Sequence, residues 1–283
     1  LTHELGHGFA LPDLYDYSPP GQGIGHWGLM GSGNWNQPAS PAHMMAWTKD
    51  LLGWIEIDTV THGTGWSTRN LEPVVTSQRA LRLDPDGTQE YFLVENRQIL
   101  GADRFLHESG LLVWHIDEAQ FSQTRNNEFP YGVALMQADG LATLEDGSNR
   151  GDAGDPYPGS TANVSFTPTS VPDSRLNTGM RSGVWLTSIT HLGDGTMSFD
   201  LCVELGGVWG DVTADGRINV IDAQQIARHI AGLPVQTPEG VVTHGDTDAD
   251  GQITVDDAEQ VARHSIGLTA TGRTGEPLSS CAP

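Results

Sequence analysis

Along the chain, the spacing of apolar positions changes twice. Residues 1–11 read as a helix already under way at Leu1 and ended by Pro12, whose ring cannot continue it. A second helix is predicted from Ser40 as cap and Pro41 in the first turn, through Ala42, Met45, Ala46, Leu51 and Leu52, to a stop at Gly53. From about Val60 the pattern becomes short β-branched and aromatic runs punctuated by Gly, Pro, Asn and Asp. It predicts strands at residues 90–95, 110–116, 132–137, 184–189 and 196–203. Residues 145–158 fit neither period and read as a long loop. After Gly206-Gly207 the sequence repeats itself. The string from Gly210-Asp211 to Asp222-Ala223 returns from Gly245-Asp246 to Asp257-Ala258, and each copy runs on into a helix.

Composition narrows the possible partners. The 283 residues carry 36 acidic against 14 basic side chains, a formal net charge of -22 that repels nucleic acid and anionic lipid. No apolar run reaches the roughly 18–20 residues a membrane span requires. Two cysteines, Cys202 and Cys281, exclude a disulfide framework and disfavour a cysteine-based zinc site; they flank the repeats and are either one bridge or two free thiols. Much of the acid is clustered, as hard oxygen ligands for calcium are, which suits an extracellular setting. The chain opens on Leu1 with no signal-peptide pattern, as expected of a piece of a longer, secreted protein.

The helix at the start holds the most specific chemistry. His3-Glu4-Leu5-Gly6-His7 places two imidazoles one turn apart on one face, where both reach a single metal, with Glu4 between them as general base for a water molecule. Asp13 follows ten residues after His3, the spacing at which metzincins return a third ligand, and Asp16 is the alternative. Trp27-Gly-Leu-Met30-Gly-Ser-Gly33 offers a methionine within a Gly-rich turn, as in a Met-turn beneath zinc. His26, His43 and His115 are expected to be packed or hydrogen-bonded rather than metal ligands. The loop containing Asp152 and Asp155 either holds calcium or is simply solvated.

These segments, together with Pro41-Ala-His-Met-Met-Ala-Trp-Thr-Lys-Asp-Leu-Leu-Gly-Trp54, Glu90-Tyr-Phe-Leu-Val-Glu-Asn-Arg97 and Gly110-Leu-Leu-Val-Trp-His-Ile-Asp117, resemble the immune inhibitor A-like secreted zinc metallopeptidases over residues 1–205. The resemblance implies one catalytic zinc on His3, His7 and Asp13, with Glu4 as catalytic base and peptides or proteins as substrates. The departure is Ala10, where the pattern has Gly to allow a positive φ after the helix.

The repeats follow the calcium-loop grammar of oxygen ligands at alternate positions with Gly at the sixth. The first loop offers Asp211, Thr213, Asp215, Arg217 through its carbonyl, Asn219 and Asp222; the second offers Asp246, Asp248, Asp250, Gln252, Thr254 and Asp257. Thr213 in place of an acid should weaken the first site. No helix is expected before either loop, and position 12 is Asp rather than Glu. Duplicated loop-then-helix units of this kind resemble dockerin type I modules, here over residues 208–268. That resemblance implies a cohesin-type partner, as in polysaccharide-degrading assemblies; the competing view is a calcium-stabilised tail without a partner.

The expected fold class is α+β: a truncated metzincin-like zinc-helix segment (1–57), a β-rich continuation of the peptidase region (58–205), a small all-α calcium-binding dockerin-like module (208–268) and a tail (269–283). The function expected is zinc-dependent peptide-bond hydrolysis, with two calcium ions in the module and room for more, and with this stretch inactive when expressed alone. The alternative is a non-catalytic extracellular attachment protein with a vestigial zinc motif.

Overall fold

The computed structural model describes residues 1–84, 89–124, 128–204, 207–276, 278 and 281, so the boundary expected at 205–206 lies outside the described residues. The fold is mixed α and β. In chain order it comprises helices α1 (Thr2–Gly8), α2 (Asn34–Asn36) and α3 (Ala46–Leu51), then strands β1 (Glu56–Thr61) and β2 (Thr64–Leu71), and helix α4 (Val74–Ser77). There follow β3 (Arg79–Asp84), β4 (Glu90–Arg97), β5 (Gly110–Asp117), α5 (Glu118–Thr124), β6 (Val133–Leu135), β7 (Val184–His191), β8 (Met197–Val203), α6 (Val220–Ile230), α7 (Pro238–His244) and α8 (Val255–Ser265).

A five-stranded sheet, ordered β1-β3-β4-β5-β6, forms the centre; β1 and β3 are parallel and the remaining pairs antiparallel. Its inner strands are apolar on both faces because both faces are covered. Tyr91, Leu93, Leu112, Trp114 and Ile116 point into one core with Leu11, Leu14, Trp27, Met30 and Trp47 of the N-terminal segments. Phe92, Val94, Leu111 and Val113 point the other way, onto the three-stranded antiparallel sheet β2-β8-β7, against Leu186, Phe199 and Leu201. Helix α1, which carries His3 and His7, therefore belongs to a body whose middle layer is the large sheet.

A buried charged network joins the motif segments. Arg97 at the end of β4 donates to Asp103 Oδ1 at 2.6 Å and Oδ2 at 2.7 Å, to Glu95 Oε1 at 3.3 Å and to the Trp27 carbonyl at 2.9 Å. Burial alone would lower the Arg97 guanidinium, but Asp103 and Glu95 hold it above its ordinary range. Glu95 also accepts from the Trp114 indole and the Ala46 amide, and Asp103 from the His43 amide.

That network explains one departure from expectation. The helix predicted from Ser40 begins only at Ala46, after an extended Met45, because the amides of His43 and Ala46 are taken by the buried carboxylates of Asp103 and Glu95. A second departure is α7, which occupies the segment before the second repeat loop where no helix was expected. Pro238 at its first turn and the fully buried Val241 outweigh the low helix propensity of Gly240 and its β-branched neighbours. The strands predicted at 90–95, 110–116, 132–137, 184–189 and 196–203 are present as β4 to β8 with shifted ends, and the sequence pattern did not separate β1, β2 and β3.

Cys202 of β8 is disulfide-bonded to Cys281, closing the stretch that contains the repeats. Among the described residues no helix is long and apolar enough to cross a membrane.

Candidate metal centres

Helix α1 ends in a Schellman turn: the Leu11 amide donates to the Gly6 carbonyl and the Ala10 amide to that of His7. Ala10 sits at φ 63°, so the left-handed position is occupied without glycine. The turn brings Asp13 back over the helix. Asp13 Oδ1 lies 2.9 Å from His3 Nε2 and 3.2 Å from His7 Nε2. Asp16 does not join them; it accepts from the Tyr131 hydroxyl at 2.8 Å and the Ser18 amide at 2.6 Å.

The other ring nitrogen of each histidine faces a carbonyl, which can only accept: His3 Nδ1 lies 2.8 Å from Leu29 O and His7 Nδ1 2.9 Å from Leu11 O. Each Nδ1 therefore carries the proton. In the neutral rings both Nε2 atoms then present lone pairs to a carboxylate oxygen, an arrangement that a cation between them satisfies. The two nitrogens and one oxygen lie within 4.8 Å of one another, a donor set suited to zinc. His3 is buried, the His7 side chain is 36% exposed and Glu4 is exposed, so the centre opens to solvent on the Glu4 side.

Support beneath the helix comes from Met30. A Cβ on Gly6 would lie 2.5 Å from Met30 Sδ, so only glycine between the two histidines admits the sulfur. The sequence reading missed two residues here. Tyr17 donates to Asp13 Oδ2 at 2.5 Å, which raises its phenol above the usual range, and Tyr15 donates to Tyr17 while its ring lies 6.0 Å from that of His3. Only the string Asp13-Leu-Tyr-Asp-Tyr17 could have signalled them. A cavity of about 490 Å³ beside the start of α1 is lined by Thr2, Leu29, His43, Lys49 and Trp54 rather than by His7 or Asp13.

The three other histidines singled out in the sequence, His26, His43 and His115, are packed or hydrogen-bonded. His26 stacks on His107, and burial pushes it down to about 4. His43 is also lowered by burial, and His115 Nε2 lies 2.8 Å from Glu90 Oε1.

The two repeat loops share one backbone course, with Ala214 and Gly216 at positive φ matched by Ala249 and Gly251. Asp222 and Asp257 are wholly buried. Each accepts from a residue early in its loop, Thr213 or Thr247, and reaches back to the amide of the helix cap, Asn219 or Thr254. Position 12 thus closes the loop and completes a capping box on α6 or α8, a role the ligand reading overlooked although its Asn/Thr-x-x-Asp spacing was visible. Asp246, Asp248 and Asp250 bring three carboxylates within 4.8 Å, while Thr213 takes the corresponding place in the first loop. Arg217 and Gln252 donate their amides to Asp215 and Asp250, and Arg273 pairs with Asp246 at 3.2 Å. Burial pushes the Asp211 carboxyl above its usual range.

A third acidic group is formed by Asp139, Asp152 and Asp155, one carboxylate oxygen of each lying within 4.8 Å of the others. Burial pushes the Asp155 carboxyl up to about 7.

A His-Glu-x-x-His helix closed by an aspartate, followed by paired Asp loops, has the organisation of a metal-dependent peptidase bearing a calcium-type module. Residues 1–56 match the family model of the immune inhibitor A peptidase M6 catalytic domain, and residues 209–265 match that of the dockerin type I domain. No curated protein matches the chain. The two matches support a metallopeptidase with a dockerin module, of whose catalytic domain residues 1–56 are the matched part.

Proposed function

We propose that this chain is part of a secreted zinc endopeptidase whose dockerin module binds two calcium ions and docks on a cohesin-type partner. The observation that carries the zinc reading is the pair of imidazoles whose Nδ1 protons are committed to backbone carbonyls while both Nε2 atoms face one carboxylate oxygen. His3, His7 and Asp13 would hold the ion, and Tyr17 fixes the second oxygen of Asp13. Zinc supplies Lewis acidity there, polarising a scissile carbonyl and making water acidic near neutral pH. Glu4, exposed one residue after His3, would serve as general base, its carboxylate accepting a proton and delivering it to the leaving amine. In the module, Asp211, Thr213, Asp215, Arg217, Asn219 and Asp222 would hold one calcium, and Asp246, Asp248, Asp250, Gln252, Thr254 and Asp257 the other. Docking rests on the dockerin match and on the exposed Val220-Ile221 and Val255 at the helix starts.

Zinc retained after exhaustive dialysis tests the reading. The chain is expected to keep one zinc, Asp13→Ala and His7→Ala to lose it, and Glu4→Gln to keep it. A wild-type chain that emerges without zinc would point to the vestigial motif of an attachment protein instead.

A further inference from the structure

The third acidic group is built differently from a solvated surface cluster. Asp155 has no exposed surface, and its Oδ2 accepts from the Trp27 indole at 2.7 Å and the Asp152 amide at 2.9 Å. Its Oδ1 is buried and has no hydrogen-bond partner. Asp152 accepts from the Gly154 amide and Asn149, both at 2.6 Å, and Asp139 from the Leu141 amide at 3.0 Å. One carboxylate oxygen from each of the three lies within 4.8 Å of the others. Gly154 lies against the cluster, because a Cβ there would collide with Asp139 Oδ2 and stand 3.0 Å from Asp152 Oδ1. Among the described residues, none of the three forms an ion pair with Lys, Arg or His.

Three carboxylates converging without a counter-charge, one of them presenting an unpartnered oxygen inside the protein, cost several kcal/mol unless a cation or protons compensate. An all-oxygen donor set from a bent loop suits calcium, which tolerates irregular geometry and completes its shell with carbonyls and water. We propose that Asp139, Asp152 and Asp155 form a calcium site of the peptidase body, separate from the two repeat loops.

The ion would fasten the loop at 152–155 to the segment at residues 137–139, where the Ala138 amide already donates to the Asp155 carbonyl at 2.9 Å. Through Asp155 it would hold the Trp27 indole, two residues before the carbonyl that receives His3 Nδ1. An effect on the zinc centre rests on the zinc reading above; the calcium site itself does not.

Calcium and zinc bound to the intact chain, counted together by mass spectrometry after dialysis against buffered calcium, provide the test. Wild type is expected to hold one calcium more than Asp155→Asn, while the double change Asp215→Ala with Asp250→Ala removes calcium without removing that one. Asp139→Asn leaves the Trp27 hydrogen bond intact and is expected to lose the same ion, with circular dichroism showing an unchanged fold; it stays decisive if Asp155→Asn folds poorly. Calcium should also shift tryptophan fluorescence in the repeat double variant, and Asp139→Asn should abolish that shift. Equal calcium counts in wild type and Asp139→Asn, or no calcium left once the repeats are silenced, would overturn the site whatever the zinc count shows.

Discussion

The two-sheet body and the repeat module keep buried charge in opposite ways. At the centre of the body, Arg97 is surrounded by Glu95 and Asp103 and lies between two extensive apolar cores, so there, unlike at Asp139, Asp152 and Asp155, protein groups satisfy protein charges. In the module, the buried Asp211, Asp222 and Asp257 meet only backbone amides and threonine hydroxyls among the described residues, around a core whose buried apolar members are Val212, Ala223, Ile226, Val241 and Val261. A core of that size stabilises little by itself, so the module depends on something outside the chain to offset its carboxylates. Dependence of folding on metal should therefore be greatest in the module, while the body, whatever ions its own sites hold, stands largely on burial.

Calcium removal is expected to have the largest effect. Chelation should melt α6 and α8, seen as lost helical dichroism and rapid proteolysis between residues 207 and 276, while amide exchange in β4 and β5 stays slow. Simultaneous loss of both regions would dissolve the contrast.

Next in size is a break within the body. Asp103→Asn leaves Arg97 buried with one carboxylate fewer and should cost about 3–5 kcal/mol, read from denaturant unfolding of calcium-loaded protein. A cost below about 1 kcal/mol would mean that the network is not what joins Trp27, His43 and β4.

The smallest effect is at the turn after α1. Ala10→Gly should stabilise the body by about 1 kcal/mol, because a Cβ is strained at positive φ, and should leave zinc retention unchanged. Destabilisation would show that the Ala10 methyl packs usefully.

Local features were legible in the sequence. The His3 and His7 spacing, the apolar runs of β4 and β5, and the grammar of each repeat loop lie within about a dozen residues, where period and turn chemistry decide the outcome. Features assembled from distant segments were not. The start of α3 is set by carboxylates about 50 residues away in β4 and beyond, α7 forms because Val241 is buried, and Tyr15 and Tyr17 matter only because the turn at Ala10 folds them over α1. Asp155 is legible as an acid of a loop, but its partners Trp27 and Asp139 lie far from it in the sequence and meet it only in the fold. The cysteine pairing also remained open until Cys281 was seen beside β8.

The central claim is that α1 and the turn after it form a zinc centre with two imidazole nitrogens and a carboxylate oxygen. X-ray absorption at the zinc edge on the zinc-loaded chain tests it most directly. A shell of two imidazoles at roughly 2.0–2.1 Å with oxygen completing it is expected, reduced to one imidazole in His7→Ala. An all-oxygen shell, or a spectrum unchanged in His7→Ala, would contradict it.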